Sequence, residues 1–103
     1  MAAQHLIRDA RSADRSAWQD LWERYLVFYE ADLPADRTEF LWRRIFDSGD
    51  PVACLVAEVE GSVVGIAHYF PHADTWEDGP VCYLEDLFVD EAHRESGVAT
   101  GLI

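Results

Sequence analysis

Two short stretches hold the residues best suited to chemistry. Tyr83-Leu84-Glu85-Asp86-Leu87-Phe88-Val89 reads as an apolar strand carrying two adjacent carboxylates. After a short polar connector comes Arg94-Glu95-Ser96-Gly97-Val98-Ala99. A strand that feeds a Gly-containing turn and then a helix aims backbone N–H groups, and the positive end of a helix dipole, past the strand end. That is an anion site, and it needs no P-loop lysine. Gly97 and Ala99 are small enough for the main chain to approach a ligand closely. Strand alternation predicts that Glu85 and Asp86 face opposite sides of the sheet. They are then no shared-proton pair, and Asp86 is expected as a capping or structural acid.

The combination resembles the acetyl-CoA-binding motif of the GNAT superfamily of N-acetyltransferases, Arg/Gln-x-x-Gly-x-Gly/Ala. Tyr83-Leu84-Glu85-Asp86 is similar, more narrowly, to the diamine (spermidine/spermine) acetyltransferase branch. The similarity extends to Val63–Phe70, to Trp76 and to the opening Ile7-Arg8-Asp9-Ala10. The resemblance implies an α/β fold of the acyl-CoA N-acyltransferase type, acetyl-CoA as donor, a small cationic or polyamine-like primary amine as acceptor, and no metal. It implies Glu85 as the base. Leu87, Phe88 and Val89 would offer strand-edge backbone to the pantetheine amides. Arg94, Glu95, Ser96, Gly97, Val98, Ala99 and Thr100 would form the pyrophosphate clamp. Glu95 departs from the family, which places Gly or a base there. Tyr29 and Glu30 match a Tyr-Glu pair that borders the polyamine site. The family also implies a possible homodimer, and it places a general-acid Tyr and further strands past Ile103. The chain is therefore expected to be the N-terminal portion of one such domain, ending inside a helix and inactive alone.

The chemistry sets the demand on Glu85. An ammonium of pKa ~10.4 costs about 4.6 kcal/mol to present neutral at pH 7, from about 3.4 units at ~1.36 each. A carboxylate that accepts the proton offsets part of that cost. The plainer alternative is a Glu85 paired to an Arg or a backbone N–H, with the loop an ordinary turn before a helix. At the level of the whole chain the rivals are a non-catalytic acyl-CoA binder and an acidic interaction module.

The elements that must position these residues are legible in outline. His5 to Asp9 reads as a strand. Asp14 is the expected N-cap of a helix to about Glu30, with Trp18, Leu21, Trp22, Tyr25, Leu26 and Tyr29 as its apolar stripe. Asp36-x-x-Glu39 resembles a capping box opening a second helix through Phe40, Leu41 and Ile45, which Ser48-Gly49-Asp50-Pro51 ends. Val52–Val59, Glu60-Gly61 and Ser62–Phe70 read as a hairpin. Pro71–Pro80 is a polar loop containing Trp76, Val81–Val89 a further strand, and a helix opens at Gly97. The order is β-α-α-β-β-β-α with a mostly antiparallel sheet.

The 103 residues suffice for a single domain. The net charge of −12 argues against nucleic acid and for attraction of cations. No apolar run approaches a membrane span, and the expected location is the cytoplasm. Cys54 and Cys82 lie in apolar strand-like runs without metal-ligand spacing, and both are expected to be buried free thiols. His68 is expected as a half-buried, satisfied imidazole, and His93 as a surface residue.

Overall fold

The computed structural model describes residues 5–94 and 98–102, the side chains at 99 and 100 excepted. Its elements are β1 (His5–Asp9), a 3₁₀ turn (Ser12–Asp14), α1 (Arg15–Phe28), α2 (Ala35–Ile45), β2 (Ala53–Val59), β3 (Ser62–His72), β4 (Val81–Val89), a second 3₁₀ turn (Glu91–His93) and α3 (Val98–Leu102). The expected element order and α/β class are present. The four strands form one antiparallel sheet in the order β1-β2-β3-β4, so β4 lies at an edge.

Neighbouring residues feed opposite layers, as the pleat requires, except at bulges such as the one that makes Val64 an extra residue against β2. Cys54, Val56, Ile66 and Phe88 pack under α1 and α2 with Trp18, Leu21, Trp22 and Trp42. Ala57, Val59, Val64, Ala67 and Val89 pack under α3 with Val98 and Leu102. The β2–β3 turn consists of Glu60 and Gly61, both at positive φ (51° and 83°), which matches the right-handed twist of a two-residue hairpin.

Several local expectations need correction. Asp14 is the N-cap residue of α1, as expected, but its side chain makes no capping bond to that helix. Its carboxylate takes two bonds from Arg8 (2.8 and 2.9 Å) and one from the Arg11 N–H (2.7 Å), tying the helix start to β1. The supposed capping box at Asp36 is absent because Pro34 takes the N-cap and offers no side-chain acceptor. Glu39 instead pairs with Arg15 at 2.6 Å, bridging α2 to α1. Of the two cysteines only Cys54 is buried; Cys82 is exposed on β4. Burial pushes the Cys54 thiol up to about 12.

Candidate functional site

The site begins with an irregularity in β4. His68 pairs with Asp86 across the β3–β4 ladder, but the next residue, Tyr69, pairs with Leu84. Glu85 is the extra residue of a β-bulge. The extra residue resets the alternation, so Glu85 and Asp86 do not face opposite sides as expected. Both line a cavity of about 360 Å³ on the α1/α2 side, with Leu41, Arg44, Phe70 and His68 among its other walls. Leu84 is displaced to the α3 side, where it borders a different cavity with Leu55, Tyr69 and Leu102.

The two carboxylates differ in surroundings. Glu85 is exposed, and no hydrogen bond or ion pair to it is found among the described residues. Asp86 is half-buried, accepting from His68 Nδ1 at 3.0 Å and from the Tyr25 hydroxyl at 2.7 Å. Burial drives the Asp86 carboxyl up, but these hydrogen bonds more than offset it and hold it below the usual carboxylate range. The Tyr25 hydroxyl is displaced well upward, first by burial and then by its bond to Asp86. His68 is more deeply buried than expected, at 2% exposure, and the Trp18 indole donates to its Nε2 at 2.9 Å. Arg44 is held by Asp50 at 2.8 and 3.3 Å, so the cation in this wall is already paired.

The residues expected to hold acetyl-CoA fall next to this pocket. Leu87, Phe88 and Val89 continue β4 at the sheet edge, whose outer side has no partner strand among the described residues. With Arg94, Phe28 and Tyr29 they line a cavity of about 280 Å³. An unpaired strand edge beside Phe28 and Tyr29 suits an extended amide-bearing chain such as pantetheine. Arg94 turns back, its Nε donating to the Val89 carbonyl at 2.8 Å and its guanidinium lying 5.2 Å from the centre of the Phe88 ring. Val98 is buried in the α3 core, so any ligand contact from it is through backbone. Ala99 and Thr100 lie in α3. Glu95, Ser96 and Gly97, the centre of the expected clamp, lie outside the described residues.

Tyr29 and Glu30 separate. Tyr29 is exposed and borders the cofactor-side cavity, not the pocket of Glu85. Glu30 sits at φ 55° and closes α1, with its N–H on the Val27 carbonyl (3.0 Å) and the Ala31 N–H on Leu26 (2.8 Å). Sequence reasoning missed Leu41 and Phe70 as pocket walls, Tyr25 and His68 as partners of the pocket carboxylate Asp86, and Trp18 as the donor to His68. A histidine inside the apolar run Val63–Phe70 was the available signal, since such a side chain must find polar partners.

With this geometry in hand, comparison with known proteins is decisive at the level of family. The model of the acetyltransferase (GNAT) family matches residues 4–103. The chain belongs to that family. This GNAT chain is 30% identical over 100 residues to D-amino-acid N-acetyltransferase HPA3 of Saccharomyces cerevisiae, covering 95% of itself and 62% of that protein. It therefore spans less than two thirds of that relative's length. Among solved structures it is similar to AAC(6')-Iy in complex with the bisubstrate analogue CoA-S-monomethyl-acetylneamine, with TM-score 0.81 and 23% identity over 97% of this chain and 67% of that one. A possible acetyltransferase from Clostridium difficile 630 gives TM-score 0.78 and 21% identity over 95% of this chain and 65% of that one. At these identities the structural matches speak for the fold. The narrower diamine branch rests on the Tyr83–Asp86 resemblance, for these relatives carry other names.

Proposed function

We propose that the protein transfers the acetyl group of acetyl-CoA to the nitrogen of a small cationic amine, with Glu85 as the base. The observation that supports this reading best is the bulge, which turns Glu85 into a pocket beside the free edge Leu87–Val89. The pocket's apolar walls, Leu41 and Phe70, suit the carbon chain of an amine, and its carboxylates suit the charged end. Glu85 accepts a proton from the incoming ammonium and later releases it to solvent. Acetyl-CoA, when bound, supplies a thioester that the neutral amine converts to an N-acetyl amide and free CoA thiol. Leu87–Val89 would hold the donor by main-chain hydrogen bonds, and backbone N–H groups at the start of α3 would serve its phosphates.

The test, run on a full-length protein carrying this chain, is thiol release from acetyl-CoA with a panel comprising 1,4-diaminobutane, spermidine, a D-amino acid and an aminoglycoside. Turnover is expected with the cationic amines. Glu85→Gln should lower it by about 10²–10³-fold while leaving calorimetric acetyl-CoA binding intact. A Glu85→Gln enzyme as fast as wild type would overturn the assignment of the base. CoA binding without turnover of any amine would favour the non-catalytic acyl-CoA binder.

A further inference from the structure

Two adjacent carboxylates meet the same pocket, yet only one of them has partners. Asp86 accepts from His68 Nδ1 and from the Tyr25 hydroxyl, whereas Glu85 accepts from nothing among the described residues. The Trp18 indole N–H can only donate, so at 2.9 Å it makes His68 Nε2 an acceptor and leaves the ring proton on Nδ1, facing Asp86. Both arms that hold Asp86 therefore begin on α1. Tyr25 reaches it directly, and Trp18 reaches it through His68. Trp18 and Tyr25 stand two turns apart on one helix face, and Trp22 is stacked on both, with ring centroids 6.2 and 5.3 Å away. The aromatic stack keeps the arms rigid.

A bulge of one residue leaves an ambiguity that strand pairing does not resolve. Glu85 and Asp86 together oppose His68, and sliding the bulge by one position would exchange them. Burial fixes β4 beyond the bulge, at Phe88 and Val89. Before it, Val81, Tyr83 and Leu84 are 37–46% exposed, so the hydrophobic pattern holds that half of the strand weakly. Apolar side chains at 68 and 86 would fill the sheet without the desolvation cost of a half-buried carboxylate. Packing therefore does not account for this chain of bonds, whereas a choice between two arrangements does.

We propose that Trp18, His68 and Tyr25 are positioning residues, which by engaging Asp86 fix the bulge at Glu85 and leave that carboxylate alone free to take the proton. The inference rests on the acetyl-transfer reading for its effect on rate, but the sorting of the two acids is read from spectra without turnover.

The experiments use a full-length protein carrying this chain, with acetyl-CoA and the four amines above as probes. His68→Leu should lower kcat about 10²-fold, the scale of a catalytic group misplaced by about 1 Å. Acetyl-CoA affinity should stay unchanged, because Leu87–Val89 lie in the half of β4 that burial fixes. Tyr25→Phe should act in the same direction, more weakly. His68→Asn, whose amide N–H replaces Nδ1–H, should recover most of the rate. In a Glu85→Gln background each substitution should cost nothing further, since no base is left to misplace. A merely structural role would slow both backgrounds alike. Nuclear Overhauser contacts from residue 68 should run to Asp86 in wild type and pass in part to Glu85 in His68→Leu. Nitrogen-15 spectra should show a protonated Nδ1 and a bare Nε2 on His68. Losses that add fully to Glu85→Gln, or contacts that stay on Asp86 in His68→Leu, would overturn the proposal. So would the opposite tautomer, or a His68→Asn protein as slow as His68→Leu. Thermal melts identify variants that fail to fold, and Tyr25→Phe, which loses a single oxygen, keeps the test decisive in that case. Contacts that shift as expected in a protein that acetylates no amine would sink the acetyl-transfer reading and leave the sorting standing.

Discussion

The two faces of the sheet are built from different materials. The α1/α2 face is aromatic and partly polar: Trp18, Trp22 and Trp42 pack together there, with ring centroids 6.2 and 4.8 Å apart for the two pairs that include Trp18. Its polar atoms are satisfied internally, Trp18 on His68 and Trp22 on Thr38. The α3 face is small and aliphatic, and α3 lies so close that a Cβ on Gly65 would stand 3.1–3.3 Å from Leu102, Val89 and Val98. Large rings with polar handles can hold a carboxylate at the edge of a core. Small aliphatics can only bring two backbones together. One face therefore orients groups, while the other fixes where the last helix rests.

The sharpest way to break this contrast is Trp18→Ala. It removes a fully buried ring and the donor to His68 together, and should cost about 4 kcal/mol in chemical denaturation. In whatever fraction stays folded, amine binding should weaken as well, because Trp18 holds His68 and His68 holds Asp86. A loss of stability with recognition intact would show that the aromatic face is packing only. Asp14→Asn removes the clamp between α1 and β1 on the same face and should cost about 3 kcal/mol at neutral pH, because Arg8 is left partly buried without its main partner. The hydrogen bond from Arg8 holds the Asp14 carboxyl below its ordinary value, against burial and with help from the Arg11 N–H. The folded value thus lies below the unfolded one. The stabilisation is fully present above about pH 4 and is lost as pH falls through the folded value. Unfolding midpoints at pH 7, 5 and 3 should drop less steeply in Asp14→Asn than in wild type. On the other face, Gly65→Ala should cost about 1–2 kcal/mol by pushing α3 outward. Amine binding should be unchanged, and a shift in it would erase the division between the faces.

Much of the fold could be read in advance because local signals and burial agree. Alternation in β1, the Glu60-Gly61 turn and the three- and four-residue spacing of Trp18, Leu21, Trp22 and Tyr25 each point to the element that forms. Reading failed where a neighbour outcompeted a local rule. Arg8, distant in sequence, took the carboxylate that Asp14 was expected to lend to its own helix. The facing of Glu85 and Asp86 failed for a subtler reason, since strict alternation assumes an unbroken ladder. The structure shows the break in Leu84 and Leu87, which lie three positions apart yet both turn to the α3 side, an odd interval that a regular strand forbids. The Trp18–His68–Asp86 chain joins residues 50 and 18 positions apart, and no periodicity within a single element encodes it.

The unlike settings of the two thiols give experimenters a practical handle. Cys82 is open to solvent beside Tyr83 on β4, whereas Cys54 is sealed under the helices with its proton held tightly. A maleimide dye added to the native protein will mark one sulfur without mutagenesis. Fluorescence from that tag would report on the strand carrying Glu85 as ligands come and go.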